Sequence, residues 1–102
     1  PVALATDVNP GGGFSPSMAF AMAIACFGMN LTFEEALAGA TLNAAAALDL
    51  EETAGSLEAG KIADAVIVRG DATELLRVGT SPVAAVIKRG ILVSGSYPDV
   101  YA

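Results

Sequence analysis

The sequence predicts an α/β fold, and three observations along its 102 residues support that prediction. A short apolar run at residues 2–5 has the length of a buried strand and is bounded by turn-forming residues. Residues 18–48 place apolar side chains at helical spacing, and residues 63–94 consist of branched apolar runs separated by turns. We therefore expect one strand, then two or three helices, then three strands.

The first predicted strand leads to an acidic residue and a glycine-rich loop. Asp7 lies at its carboxyl end, and residues 9–13 read Asn-Pro-Gly-Gly-Gly. Pro10 has no amide hydrogen, and the glycines let the backbone approach a ligand closely. Ligands of parallel sheets and barrels bind at this end of the strands. Asp7 is therefore a candidate functional side chain, or else an acid that caps its own loop.

The first predicted helix covers residues 18–27. The sequence Ser15-Pro16-Ser17 can start it, and Gly28 ends it. It is apolar nearly all round, so we expect other elements to cover it on most sides. Core packing rather than ligand binding is expected of the three methionines, Met18, Met22 and Met29.

The second predicted helix starts with the capping-box pattern of Thr32 and Glu35, and Leu31 with Ala36 can form a hydrophobic staple. Its apolar stripe is spaced by three and four residues and comprises Phe33, Leu37, Ala40, Ala44 and Leu48.

Two polar residues interrupt that stripe. The side chains of Thr41 and Asn43 compete for backbone hydrogen bonds, so two helices should meet near Thr41. Asn43 can either cap a helix or reach a ligand.

The last part of the sequence predicts a small β unit. Residues 51–56 form a polar connector, Arg89-Gly90 a tight hairpin turn, and residues 73–79 a short helix or loop. The predicted strands are residues 63–68, 83–88 and 91–94. Three strands with open edges are marginally stable, so we expect them to belong to a larger sheet.

Composition restricts the class of function. The formal net charge of −6 argues against a nucleic-acid partner. A hydrophobic content of 54% and a mean hydropathy of +0.60 predict contact with another polypeptide surface. No apolar run approaches the roughly 18 residues that cross a bilayer. We therefore expect no membrane association and a cytoplasmic location.

The sequence contains no histidine and one cysteine. This chain alone therefore cannot build a histidine-containing zinc site or a Ser-His-Asp triad. Cys26 lies in an apolar helical stretch, and we expect a buried, reduced thiol.

Two stretches resemble the C-terminal signature of metal-dependent amidohydrolases. They are residues 40–45, ATLNAA, and residues 55–66, GSLEAGKIADAV. Within the second stretch, Lys61 is interpreted as a solvated base and Asp64 as a structural turn acid.

A sharper resemblance is to the imidazolonepropionase family. It rests on residues 5–11, ATDVNPG, with Ser17-Met18 and Ala25-Cys26. It implies the C-terminal piece of a (β/α)8 barrel, the last strand plus the closing helices, followed by strands of a small composite β-sandwich. The corresponding ranges are 1–50 for the barrel part, 51–96 for the sandwich strands and 97–102 for a tail.

The same resemblance implies a metal-dependent hydrolase of cyclic amides. Asp7 takes the role of the aspartate that binds a Zn²⁺ or Fe³⁺ ion and accepts the proton of the attacking water. The substrate-contacting positions are Asn9, Gly11 and Ser17. The implied reaction is ring opening of 4-imidazolone-5-propanoate to N-formimino-L-glutamate in histidine degradation.

The remaining metal ligands of that family are absent from this chain, so we expect the chain alone to be inactive. Its expected partners are a small-molecule substrate, the rest of the parent chain and a second copy in a homo-oligomer. Two alternatives stay open. One is another amidohydrolase, such as a deaminase or a cyclic-amide hydrolase, and the other is a non-enzymatic domain that associates through its apolar surface.

Overall fold

The structure, a computed structural model, describes residues 1–13, 15–77 and 79–97. The helices are α1 (Met18–Gly28), α2 (Phe33–Ala40) and α3 (Leu42–Ala47). The strands are β1 (Ala65–Val68), β2 (Val83–Lys88) and β3 (Ile91–Gly95). A 3₁₀ helix at Ala72–Leu76 lies between β1 and β2. Phe14 of the predicted loop, Val78 and residues 98–102 of the predicted tail lie outside the described residues.

The predicted combination of helices and strands is confirmed. The three strands form one antiparallel sheet in the order β1-β2-β3. The first of them begins at Ala65 rather than at residue 63, because the amide of Asp64 donates to the carbonyl of Ile62 at 2.9 Å and turns the backbone there. The predicted β-sandwich stays a prediction, since the described residues form a single sheet.

The predicted strand at residues 2–5 is not formed. The amide of Leu4 donates to the carbonyl of Gly39 at 2.8 Å, so α2 takes the place that a neighbouring strand would occupy. A strand exists only where another strand satisfies its backbone groups, and none of the described strands lies beside this segment. That residues 2–5 are the last strand of a barrel stays a prediction.

Helices α1 and α2 share one hydrophobic cluster. Its buried members are Met22, Ala25 and Ala36, and Leu31 packs against them, as the predicted staple requires. The predicted capping box is also confirmed. The Thr32 hydroxyl accepts the amide of Glu35 at 3.1 Å, and the Glu35 carboxylate accepts the amide of Thr32 at 2.9 Å.

The predicted break between two helices occurs at Thr41. Its hydroxyl donates to the carbonyl of Leu37 at 2.7 Å, and its backbone leaves the helical region with φ −124° and ψ −85°. α2 and α3 are therefore separate helices, and the apolar stripe does not continue to its predicted end. Leu48 is 70% exposed. The core prediction is also wrong for Met29, which lies past the end of α1 and is exposed.

One side of α1 carries large apolar side chains that the described residues leave 41% to 77% exposed. Phe20, Ile24 and Phe27 follow one another at helical spacing, and Phe27 is 77% exposed. We call these three residues the outer face of α1. Seven of the eleven residues of α1 are buried or half-buried, so the described residues cover the helix on its other sides and leave this side open. At 11 residues, α1 is too short to cross a bilayer, and so are the other described helices.

The hairpin between β2 and β3 closes through Arg89 and Gly90. Their φ angles of 52° and 78° are the left-handed values that a two-residue hairpin turn of this type needs. Asp64 fixes this turn: its carboxylate accepts the Arg89 amide at 2.8 Å and the Lys88 ammonium at 3.0 Å. The interpretation of Asp64 as a structural turn acid is confirmed.

Lys61 is not the solvated base that the sequence indicated. Its side chain is 14% exposed, and its ammonium lies 3.2 Å from the Glu58 carboxylate. It also donates to the Ser56 hydroxyl at 2.7 Å and to the carbonyl of Ala54 at 3.5 Å. Lys61 therefore holds Ala54 and Ser56 of the connector close to Glu58. The hydroxyl of Ser56 also donates to Glu58, and this bond, followed by Lys61, lowers the pKa of the Glu58 carboxyl.

Candidate functional site

Asp7 has an unusual backbone conformation. Its φ is 51°, in the left-handed region that a residue with a β-carbon seldom occupies. Aspartate tolerates this region better than most residues because its short polar side chain can bond locally. Left-handed non-glycine residues cluster at active sites and ligand clamps. Asp7 is also exposed to solvent, so its carboxylate is available to a ligand.

Asn9 holds Asp7 in this conformation. Its side-chain amide donates to the Asp7 carbonyl at 2.6 Å, and its side-chain oxygen accepts the amide of Gly11 at 2.7 Å. Its backbone amide donates to the carbonyl of Gly13 at 2.9 Å. Asn9 and Gly11, two predicted substrate contacts, are thus brought together beside Asp7. Their bonds to each other organise the loop.

Gly13 is a site residue that the sequence did not single out. A β-carbon at this position would lie 1.9 Å from the Asp7 carbonyl oxygen, which is too close for any side chain. Gly12, its neighbour, has nothing within 4 Å of the same added atom. The only available signal was the run of three glycines, which does not reveal which of them is required.

Ser17 serves as the N-cap of α1. Its hydroxyl accepts the amide of Phe20 at 3.2 Å. It also lines a groove of about 390 Å³ between the N-terminal segment and α1, together with Thr6 and Gly13. Asp7 and Asn9 are not among the described residues that line this groove. The structure therefore places Ser17 near the glycine loop but not in the same groove as the acidic side chain.

The described residues do not form a metal site by themselves. Among the described residues, no three acidic, histidine or cysteine side chains lie close enough together to hold an ion. Asp7 can offer one carboxylate to an ion, and the sequence contains no histidine that could join it. Cys26 is bound elsewhere: it is partly rather than fully buried, packs against the helical core and donates to the Thr32 carbonyl at 3.8 Å.

The chain is similar in sequence to a family of hydrolases and to individual members of it. The family model described as "Amidohydrolase family" matches residues 1–94. The chain is 47% identical to an imidazolonepropionase of Desulfotalea psychrophila over 91 residues, which are 87% of this chain and 22% of that protein. It is 46% identical to an imidazolonepropionase of Bacteroides fragilis over 101 residues, 97% of this chain and 23% of that protein. The chain thus spans less than a quarter of the length of these relatives.

A solved structure shares this arrangement of helices and strands. A crystal structure described as that of an uncharacterized protein aligns with a TM-score of 0.63 and 27% sequence identity. The alignment covers 76% of this chain and 20% of the other one. The arrangement therefore also occurs as one part of a considerably longer polypeptide.

Proposed function

This chain belongs to the amidohydrolase family, and from that premise we propose that it is the C-terminal part of an imidazolonepropionase. The parent enzyme hydrolyses 4-imidazolone-5-propanoate to N-formimino-L-glutamate, a step of histidine degradation. The observation that carries the proposal is the 46% identity to an imidazolonepropionase across 97% of this chain, which includes Asp7 and its loop. We place the enzyme in the cytoplasm.

Asp7 is the catalytic residue that this chain contributes. In the proposed reaction, its carboxylate accepts a proton from the water that attacks the ring carbonyl. Its exposure and the fixed left-handed backbone support this role, because a base must be held in one position to react efficiently. Asp7 would also supply one ligand to a Zn²⁺ or Fe³⁺ ion, which would make the attacking water easier to deprotonate, and the remaining ligands would come from the rest of the parent chain.

Asn9, Gly11 and Ser17 are the proposed substrate contacts. A side-chain amide carries two donor hydrogens, and the bond to the Asp7 carbonyl needs only one of them. Asn9 can therefore hold Asp7 and donate to the substrate at the same time. Ser17 can likewise donate its hydroxyl hydrogen, since as a helix cap it acts only as an acceptor.

The rest of the parent chain is the main proposed partner. It would supply the strands that pair with the other edge of residues 2–5 and with the residues after Leu4 on the edge that Gly39 and Asn43 bind. In the proposed enzyme this segment is the last strand of a (β/α)8 barrel. The rest of the parent chain would also cover the outer face of α1 and complete the β-sandwich at the open sheet edges. The exposure of Phe27 supports this proposal, since large apolar side chains of folded proteins are usually buried. A homo-oligomer of the parent enzyme is proposed as well.

The decisive experiment is an activity assay of the full polypeptide that carries this chain. We expect turnover of 4-imidazolone-5-propanoate and a loss of about 10²- to 10⁴-fold in kcat for Asp7→Asn, the usual contribution of a general base. Asp49→Asn is the matched control, because Asp49 is another exposed aspartate with left-handed backbone, at φ 58°.

Two outcomes would contradict the proposal. If the parent polypeptide turns over a different cyclic amide or deaminates an aminated ring but leaves imidazolone propanoate intact, it is a different amidohydrolase. If Asp7→Asn retains the activity of the Asp49→Asn control, Asp7 is not the base.

A further inference from the structure

The segment that carries Asp7 is fastened to the helices at two neighbouring points. The carbonyl of Gly39 in α2 accepts the amide of Leu4 at 2.8 Å. The side-chain amide of Asn43 in α3 donates to the carbonyl of Val2 at 2.9 Å, across 41 positions of sequence. The junction of α2 and α3 therefore binds one edge of the extended segment.

These two bonds fix the register of the segment. The carbonyl of one residue and the amide of the residue two positions later lie on the same edge of an extended chain, where a neighbouring strand would bind both. Gly39 and Asn43 bind this pair of groups at Val2 and Leu4. A slip by one residue would present the opposite edge, and it would turn every side chain to the other face.

The close packing of the segment on α2 depends on the absence of a side chain at Gly39. A β-carbon at Gly39 would lie 3.0 Å from the Val2 carbonyl oxygen and 3.1 Å from the Leu4 side chain. Gly39 is buried and Asn43 is half-buried. The contact at Gly39 is thus close, and the bond from Asn43 to Val2 lies at the surface of the described residues.

We propose that Asn43 is a positioning residue for Asp7, an inference that rests on the proposed function. By binding the Val2 carbonyl, Asn43 fixes the register of the segment. The register in turn determines the position of Asp7 and the side to which its carboxylate points. Each extended residue advances the chain by about 3.3 Å. A slip of one position would therefore move the carboxylate by more than the error that catalysis tolerates.

The test compares three variants in the full polypeptide that carries this chain. Asn43→Asp keeps the shape of the side chain but replaces the donor amide by an acceptor facing the Val2 carbonyl. Asn43→Gln keeps a donor amide. Ala46→Gly weakens the same helix at an exposed position, without a bond to the N-terminal segment.

Steady-state kinetics and hydrogen exchange are measured on each variant. We expect Asn43→Asp to lower kcat by about 10²-fold, as misplacement of a catalytic group does, with KM changed less than about threefold. Exchange of a peptide covering residues 1–8, followed by mass spectrometry, should accelerate by about tenfold because the segment opens locally. Asn43→Gln should restore most of the activity, and Ala46→Gly should change neither quantity.

The outcomes separate this inference from the proposed function. Equal losses in Asn43→Asp and Ala46→Gly would overturn it, since they would indicate a purely structural role. If the wild type does not turn over imidazolone propanoate, the proposed function fails, and the exchange of residues 1–8 alone decides whether Asn43 holds the segment. If Asn43→Asp does not fold, Asn43→Ser, which is too short to reach Val2, replaces it with the same expected results.

Discussion

Asp64 accepts the backbone amide of Arg89 at 2.8 Å and thereby joins the start of β1 to the turn between β2 and β3. This bond is the largest cause of a lowered pKa of the Asp64 carboxyl, followed by the bond from the Lys88 ammonium. Asp64, which belongs to the family signature, thus has a structural role in the sheet. It lies far along the chain from Asp7, the candidate catalytic residue.

Stability should decrease in acid because hydrogen bonds hold several carboxyl pKa values down. The pKa is lowered from the ordinary 3.8 for Asp64 and Asp71, and from 4.5 for Glu35 and Glu58. A lowered pKa stabilises the folded state above the unfolded pKa, and this contribution is lost as the pH falls through the folded one. We expect the urea midpoint to be constant above about pH 5.5 and to fall below about pH 4.5. Asp64→Asn should weaken this dependence, and a midpoint that rises toward pH 3 would contradict it.

Thr32→Ala should destabilise the protein by about 1 kcal/mol, because it removes the hydroxyl that caps α2. Thr32→Ser keeps a capping hydroxyl and should cost much less. Urea denaturation monitored by circular dichroism measures both. Equal midpoints for the alanine and serine variants would show that the capping box does not stabilise this helix.

Gly13→Ala should disrupt the loop that holds Asp7, because the added methyl group overlaps the Asp7 carbonyl oxygen. In the full polypeptide we expect a loss of about 10²-fold in kcat/KM, the usual effect of a misplaced catalytic group. Gly12→Ala is the matched control, since the space around its added methyl group is open. The prediction is wrong if the two variants have the same activity.

The 102-residue chain on its own should self-associate through the outer face of α1 and the open sheet edges. Sedimentation equilibrium should show dimers or larger species at about 50 μM, a concentration at which exposed apolar patches usually associate. Phe27→Lys places a charge on the most exposed residue of the outer face and should shift the equilibrium toward monomer. A monomeric wild-type chain would argue against this use of the surface.

The 102-residue chain should bind Zn²⁺ only with a dissociation constant of about 1 mM or weaker, because tight zinc sites use three or four protein ligands. Isothermal titration calorimetry measures this directly. Micromolar binding that Asp7→Asn abolishes would show that this chain supplies more of the site than one carboxylate.

Features encoded by short stretches of sequence could be predicted. The start of α2 at Thr32 and the helix break at Thr41 each depend on residues within four positions of one another. The Arg89-Gly90 pair is a local turn pattern as well, whereas its bond to Asp64 is not local. Asp7 could be selected because an acid at the end of an apolar run, followed by glycines, is a local pattern as well. The left-handed backbone of Asp7 could not be predicted, since it depends on the hydrogen bond that the Asn9 side chain donates to the Asp7 carbonyl.

Features that depend on how the chain folds back on itself could not be predicted. The sequence shows Lys61 after a polar connector, and only the folded chain brings Ala54, Ser56 and Glu58 around its ammonium. Asn43 shows the same limit: helix capping and ligand binding were both open, whereas its partner is a backbone carbonyl 41 positions away.

The pairing of the strands also determines the order in which the chain can assemble. Two residues separate β2 from β3, and such hairpins form in about 1–10 μs. The bond between Asn43 and Val2 requires closure of a much longer loop, which is entropically more costly. Contacts between residues that are near in sequence form faster than contacts between distant ones. The β2–β3 hairpin should therefore form early in folding, and the N-terminal segment should dock late. The end of the chain that carries Asp7 is expected to reach its native position last.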